Sequence, residues 1–241
     1  MTTEEDFFAR LRGVMNKGWY QIPDYPGYRG TGGPGLLLEE LLGYPRNKRD
    51  SPDSGMWEIK FHGGTSLLTL FHKTPEPKGN MHSVVRSYGW PDAKGRTSFR
   101  HTIFGKSERG FKVVNESNRI IVRNTDVAED VLPPYWTHDT LINAFVYKLR
   151  RLAVVHGEKK KDKVRYISAR LHWEPMSTMF IQSIVDGLIA IDFDARTTET
   201  DALRDHGTKF RIEIDNLKYL YRKKPNFLIW CSLVYSSPYN G

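Results

Sequence analysis

One hexapeptide constrains the fold more than any other part of the chain. Trp57-Glu-Ile-Lys-Phe-His62 alternates apolar and polar residues without a break. Successive strand residues point to opposite faces, so this period fits a β-strand and does not fit a helix. Trp57, Ile59 and Phe61 are expected to enter a core, while Glu58, Lys60 and His62 project together from the other side. Just upstream, Asp53 sits in the turn-forming run Ser51-Pro-Asp-Ser-Gly55 and completes the spacing D-x4-E-x-K. Two carboxylates and an ammonium converging at a strand can hold a hard divalent cation and a water beside a phosphate. The plainer alternative is a half-exposed strand with an ordinary polar face.

Composition narrows what surrounds this strand. With 241 residues, 39% of them hydrophobic and 12% aromatic, the chain can build one large domain or two lobes sharing a core. The most apolar run, Phe227 to Tyr235, is too short and too interrupted to cross a membrane. The acidic start, Met-Thr-Thr-Glu-Glu-Asp, lacks the order of a signal peptide. A single cysteine, Cys231, excludes an internal disulfide framework and a thiolate zinc cluster, which fits a reducing, cytoplasmic setting. The formal charge of +8 favours polyanionic partners such as nucleic acid. Its basic residues are spread over Arg46 to Arg49, Lys94 to Arg109 and Lys159 to Arg170, as expected of a folded basic surface rather than a tail. His62, His82 and His101 show no metal-ligand spacing.

Periodicity predicts an amphipathic helix over 4–17, a glycine-rich loop, and a short helix over 35–42 that carries Glu39. Leu67 to Phe71, apolar on both faces, reads as a central strand buried on both sides, with His72 at its end on the side of Leu68 and Leu70. Thr74 to Arg96 is dense in proline and glycine and reads as a surface excursion. Strands are expected over 99–104 and 111–123, the latter turning at Glu116-Ser-Asn118. A helix capped by Thr137 runs to about 149 and a strand follows over 151–155. Lys159 to Lys163 reads as a solvated hairpin turn before a strand over 164–171. Ser177 is expected to cap a helix to 187, and strands follow at 189–193 and 210–214. The order implies an α/β fold with a mixed sheet flanked by helices.

Two longer motifs carry a resemblance. The element Asp53-x4-Glu58-Ile-Lys60, followed by Ser66-Leu-Leu-Thr-Leu-Phe-His72-Lys73, is similar to that of the MvaI/BcnI group of type II restriction endonucleases. Asp205-His-Gly-Thr-Lys-Phe-Arg-Ile212 resembles a block near the C-terminus of the same group, and Leu38-Glu39 and Ile191-Asp192 match in order between 31 and 220. The resemblance implies a MutH-like fold of the PD-(D/E)xK nucleases. A catalytic lobe is then expected at about 1–75 and 130–160, and a DNA-recognition lobe at about 76–129 and 161–241. It makes Asp53, Glu58 and Lys60 the catalytic set, with Asp53 and Glu58, and Glu39 in support, holding Mg²⁺ or substituting Mn²⁺. Base recognition falls to His72, Asp192, His206, Lys209 and Arg211, and Tyr88 and His62 are further DNA contacts. Histidine at position 72 matches the BcnI side and a C·G centre, whereas His206 matches the MvaI side and an A·T centre. Asp194 departs from the arginine that the MvaI side carries.

The implied activity is Mg²⁺-dependent hydrolysis of double-stranded DNA at a short G/C-rich site, CCSGG-like or CCWGG-like, leaving 5′-phosphates. A monomer and a companion methyltransferase in the host, with no stable complex between them, are implied as well. A MutH-like nicking enzyme of mismatch repair and a non-catalytic basic DNA-binding protein are the alternatives.

Overall fold

The computed structural model describes residues 4–44, 57–126, 131–223 and 228–230; Asp53, the basic run at 46–49 and Cys231 lie outside them. The chain opens with α1 (Glu4–Asn16), β1 (Trp19–Gln21) and α2 (Gly33–Leu41), followed by β2 (Glu58–His62) and β3 (Leu68–His72). Next come α3 (Met81–Tyr88), β4 (Trp90–Pro91), β5 (Thr97–Ile103), β6 (Phe111–Glu116), β7 (Arg119–Asn124) and β8 (Tyr135–Thr137). Helix α4 (His138–Lys148) leads into β9 (Arg151–Lys160) and β10 (Lys163–Pro175). Then follow α5 (Ser177–Val185), β11 (Ile189–Thr197), β12 (Leu203–Asp205), β13 (Lys209–Ile212), a 3-10 turn (Ile214–Tyr219), β14 (Tyr221–Lys223) and β15 (Leu228–Trp230).

The described residues form two compact units. One draws on Met1–Ser66, Tyr147–Pro175 and Tyr221–Gly241, the other on Leu67–Val146 and Met176–Leu220. These boundaries place 67–75 and 131–146 in the second unit and 161–175 in the first, where the lobes drawn from sequence divide them otherwise.

In the first unit the sheet order is β1-β10-β9-β2, with β14 and β15 also on β10. Among the described residues, only the β2–β9 pairing of this sheet is parallel. Parallel neighbours need a crossover, and here Leu67–Val146 supplies it. One sheet face meets both N-terminal helices. Phe7, Leu11, Val14 and Met15 of α1 and Leu37 and Leu38 of α2 pack on Trp57, Ile59, Ala153, Val155, Val164 and Tyr166. Trp57 stacks on Phe7 at 5.6 Å and meets Trp173 edge-on at 6.1 Å. Phe61 packs at the margin of the cluster, so the alternation places all three apolar residues on the core side.

The second unit holds an antiparallel sheet of order β3-β13-β11-β5-β4, with β12 beside β11, and a three-stranded sheet β6-β7-β8. The β6–β7 loop turns where sequence expects it, with both Ser117 (φ 49°) and Asn118 (φ 61°) left-handed, the geometry of a tight two-residue hairpin. Thr137 caps α4, its Oγ1 accepting the Thr140 N–H at 3.2 Å.

Three local expectations change. The run 74–96 is not merely an excursion, because it contains α3, whose Met81, Val84, Val85 and Tyr88 are buried at helical spacing. Strand β3 is not central: it ends the sheet order and pairs with β13. A bulge makes Thr69 rather than Leu70 the partner of Arg211, so Leu70 and Phe71 are buried in succession. The parity of the strand flips there, and His72 joins Thr69 on the polar side instead of Leu68 and Leu70. Ser177 is the first residue of α5 rather than its cap; Met176 holds the cap position without a side-chain hydrogen bond. Among the described residues, no helix is long and apolar enough to cross a membrane.

Candidate active site and charged sheet face

The second face of β2 carries the residues that alternation sets apart. The parallel register puts Glu58 beside Leu152, Lys60 beside Val154 and His62 beside His156. Leu152 and Val154 are buried and Glu58 is only 1% exposed, so the face is covered around Glu58. A buried carboxylate needs countercharge, and two ammonium groups provide it. Lys60 Nζ donates to Glu58 Oε1 at 2.7 Å, and Lys148, which ends α4, lies 3.7 Å from the same oxygen. Tyr221 lies nearby, fully buried, with its hydroxyl donating to the Leu149 carbonyl at 2.9 Å. Burial pushes that phenol well above its ordinary pKa, and the Glu58 charge adds to the rise.

The remaining candidates of this unit are placed less centrally. His62 is buried, its Nε2 2.8 Å from the Ser66 carbonyl oxygen. Glu39 is half-buried on α2. Asp53 falls outside the described residues, and within them no cluster of three His, Cys, Asp or Glu side chains is suited to a metal ion. Lys148 was not foreseen. It is nearly a hundred residues from Glu58 in sequence, and no local pattern marks it.

In the second unit the polar residues gather on one face of the β3-β13-β11-β5 sheet. Asp192 on β11 stands opposite Lys209 of β13 and Thr102 of β5. Its Oδ1 accepts from Thr102 at 2.8 Å and its Oδ2 from Arg211 at 3.1 Å, while Lys209 Nζ is 3.9 Å away. Arg211 also donates to the Leu67 carbonyl at 3.0 Å. Two residues on, Asp194 stands opposite Arg100, with 3.1 Å between Arg100 Nε and Oδ1 and 3.0 Å between Lys209 Nζ and Oδ2. Burial raises the Asp194 pKa, but Lys209, Arg100 and His206 outweigh it and hold the carboxyl below the ordinary range.

His72 is the cross-strand partner of Lys209, so the bulge delivers it to this edge. His206 is exposed and its backbone N–H donates to the Asp194 carbonyl at 2.9 Å. The structure thus brings His72, Asp192, His206, Lys209 and Arg211 together. Tyr88 is not among them: it is 6% exposed and packed edge-on against Phe99 and Phe111, which makes it a core aromatic of this unit. Arg100 and Thr102 escape a reading of sequence because only sheet pairing, some ninety residues along the chain, brings them to Asp192 and Asp194.

The profile of the MvaI/BcnI restriction endonuclease family matches residues 8–221. The solved structure of restriction endonuclease MvaI in complex with a cognate DNA substrate superposes with a TM-score of 0.74 at 26% identity, covering 92% of this chain and 98% of that one. MvaI in the absence of DNA gives a TM-score of 0.53 at 24% identity, covering 92% and 97%. No curated protein matches the chain. With the profile spanning most of its length and both motifs, the chain belongs to the MvaI/BcnI restriction endonuclease family.

Proposed function

We propose that the chain hydrolyses phosphodiester bonds of double-stranded DNA within a short G/C-rich site of the CCSGG or CCWGG type, with Mg²⁺ as cofactor and 5′-phosphate ends as products. The observation that carries this reading is the buried Glu58 carboxylate held against Lys60 on one strand face. Glu58 offers the hard oxygen donors that Mg²⁺ takes; Asp53, the other carboxylate of the motif, is the second ligand, with Glu39 in support. When bound, the metal supplies neutralisation of phosphate charge and acidification of a water, and Mn²⁺ can replace it. Lys60 positions the attacking water through its ammonium and stabilises the negative charge that grows on the phosphate oxygens. The chain's own contribution is therefore a buried carboxylate paired with a partly exposed ammonium.

Base reading is assigned to the sheet face of the second unit. A carboxylate accepts from cytosine N4, and an arginine grips guanine O6 and N7. Asp192 and Arg211, joined at 3.1 Å, present both halves of that code; Lys209 lies 3.9 Å from Asp192, His72 is the cross-strand partner of Lys209, and the His206 backbone N–H donates to the Asp194 carbonyl. The MvaI complex with cognate DNA supports double-stranded DNA as the ligand. The chain works as a monomer, and a separate methyltransferase protects host DNA.

Incubation of supercoiled plasmid with the full chain and Mg²⁺ tests the reading. Discrete linear fragments with mappable ends are expected. Stable open circles would support a nicking enzyme instead, and salt-sensitive binding without any cut would support a non-catalytic DNA-binding protein.

A further inference from the structure

We infer that Asp194 and Arg100 form a second base-reading couple, specific for one C·G pair other than the pair read by Asp192 and Arg211. The proposal rests on the reading of this sheet face as the one that meets DNA bases. Its basis is a repeated arrangement. Asp192 and Asp194 are two apart on β11 and so share a face. Each has a basic partner on a neighbouring strand, Arg211 on β13 for the first and Arg100 on β5 for the second, both at 3.1 Å. Lys209 lies between them, 3.9 Å from Asp192 and 3.0 Å from Asp194.

Capacity for an outside ligand differs between the two couples. Asp194 accepts a hydrogen bond from Lys209 on Oδ2 and forms an ion pair with Arg100 at Oδ1, and a carboxylate oxygen has two lone pairs. One acceptor site on each oxygen therefore remains for a cytosine amino group. Arg100 contacts Asp194 through Nε, one of five guanidinium donors. Its side chain is 51% exposed against 26% for Arg211, and Asp194 is 29% exposed against 13% for Asp192. The second couple is therefore the more accessible. Two strand residues span about 6.6 Å, more than the roughly 3.4 Å between stacked bases, so two such couples address different base pairs. The carboxylate pKa, held low by its basic neighbours, keeps Asp194 an acceptor.

The test selects duplexes from a randomised DNA pool with the full chain in chelator, so that binding is read without cleavage. Wild type, Asp194→Asn and Arg100→Ala are compared, and each selected pool is sequenced. The expected result is that both variants relax the same single position from C·G, by about 5- to 150-fold, as one bidentate contact is worth. The remaining positions of the site should stay unchanged. Two outcomes overturn the couple: variants that keep the wild-type profile, or variants that weaken all sequences uniformly. Relaxation of different positions by the two variants overturns it as well. A wild-type pool without sequence preference overturns the base-reading assignment on which the couple depends.

Discussion

At the scale of single residues, the decisive arrangement is a carboxylate that water does not reach. Glu58 is paired to Lys60 at 2.7 Å and approached by Lys148 at 3.7 Å. Both lysines keep about a fifth of their side chains in solvent, so neither loses all hydration. Distance then ranks them. Removing the close partner by Lys60→Ala should lower stability by about 1.5–3 kcal/mol, the range for a hydrogen bond to a charged group. Lys148→Ala should cost less, on the order of 0.5–1 kcal/mol, because at 3.7 Å the contact is chiefly Coulombic. Urea unfolding of both variants checks the ranking, and equal losses would contradict it. Plasmid cleavage separates chemistry from stability. Lys60→Ala should cut at least about 100-fold more slowly under conditions where it stays folded, as loss of a charge-stabilising donor does. Retention of full activity would remove Lys60 from the reaction.

At the scale of elements, alternation was enough for β2, because a strict period of two over Trp57 to His62 has one structural solution. The same rule failed ten residues later. Leu68 to His72 looks like a strand with two apolar faces, yet its parity changes at a bulge that only pairing with β13 creates. Helix α3 was hidden for another reason: Met81, Val84, Val85 and Tyr88 keep helical spacing, but flanking glycines and prolines mask it. The burial of Glu58 was illegible too, since strand period assigns a face and says nothing of what covers it.

Close approach between strands supplies an element-scale prediction. A Cβ on Gly157 of β9 would lie 2.2 Å from the Arg165 carbonyl oxygen and 2.8 Å from Phe61 Cε2. Gly157→Ala should therefore cost about 1–3 kcal/mol through forced displacement of backbone and ring, read as a lowered urea midpoint. A second prediction concerns the turn between β4 and β5. Asp92 accepts from Arg96 Nε at 2.9 Å and Nη2 at 2.6 Å, and from the Lys94 and Arg96 backbone N–H groups at 2.8 and 3.1 Å. The Arg96 side chain first, then the backbone donors, hold its carboxyl down to about 2. Because the folded pKa lies below the unfolded one, the turn's support is complete above about pH 4 and fades as pH falls through 2. Carboxyl chemical shifts of Asp92 followed by NMR should show that midpoint, and an ordinary midpoint near 4 would mean the contacts do not form.

At the scale of the whole molecule, charge and code have to be kept apart. The net charge of +8 attracts any DNA, whatever its sequence, and this part of binding is released counterion. The couples on β11, β5 and β13 work differently, because each pairs a cation with a carboxylate and contributes almost no net charge. A carboxylate facing DNA gains nothing from phosphate, and it gains from a cytosine amino group only when the bases are in register. Salt should therefore act on affinity much more than on sequence choice. For about 6–10 phosphate contacts, binding of a random duplex should fall by roughly 10³–10⁵ between 50 and 200 mM salt. The ranking of bases at the positions assigned by proposal to Asp192 and Asp194 should persist across that range. Fluorescence anisotropy of a cognate duplex and its single-base variants, titrated at several salt concentrations in chelator, measures both quantities at once. Parallel lines of log affinity against log salt are the expected result. Lines that converge, with preference vanishing as salt rises, would show that the carboxylates steer the charge of the face and do not read bases.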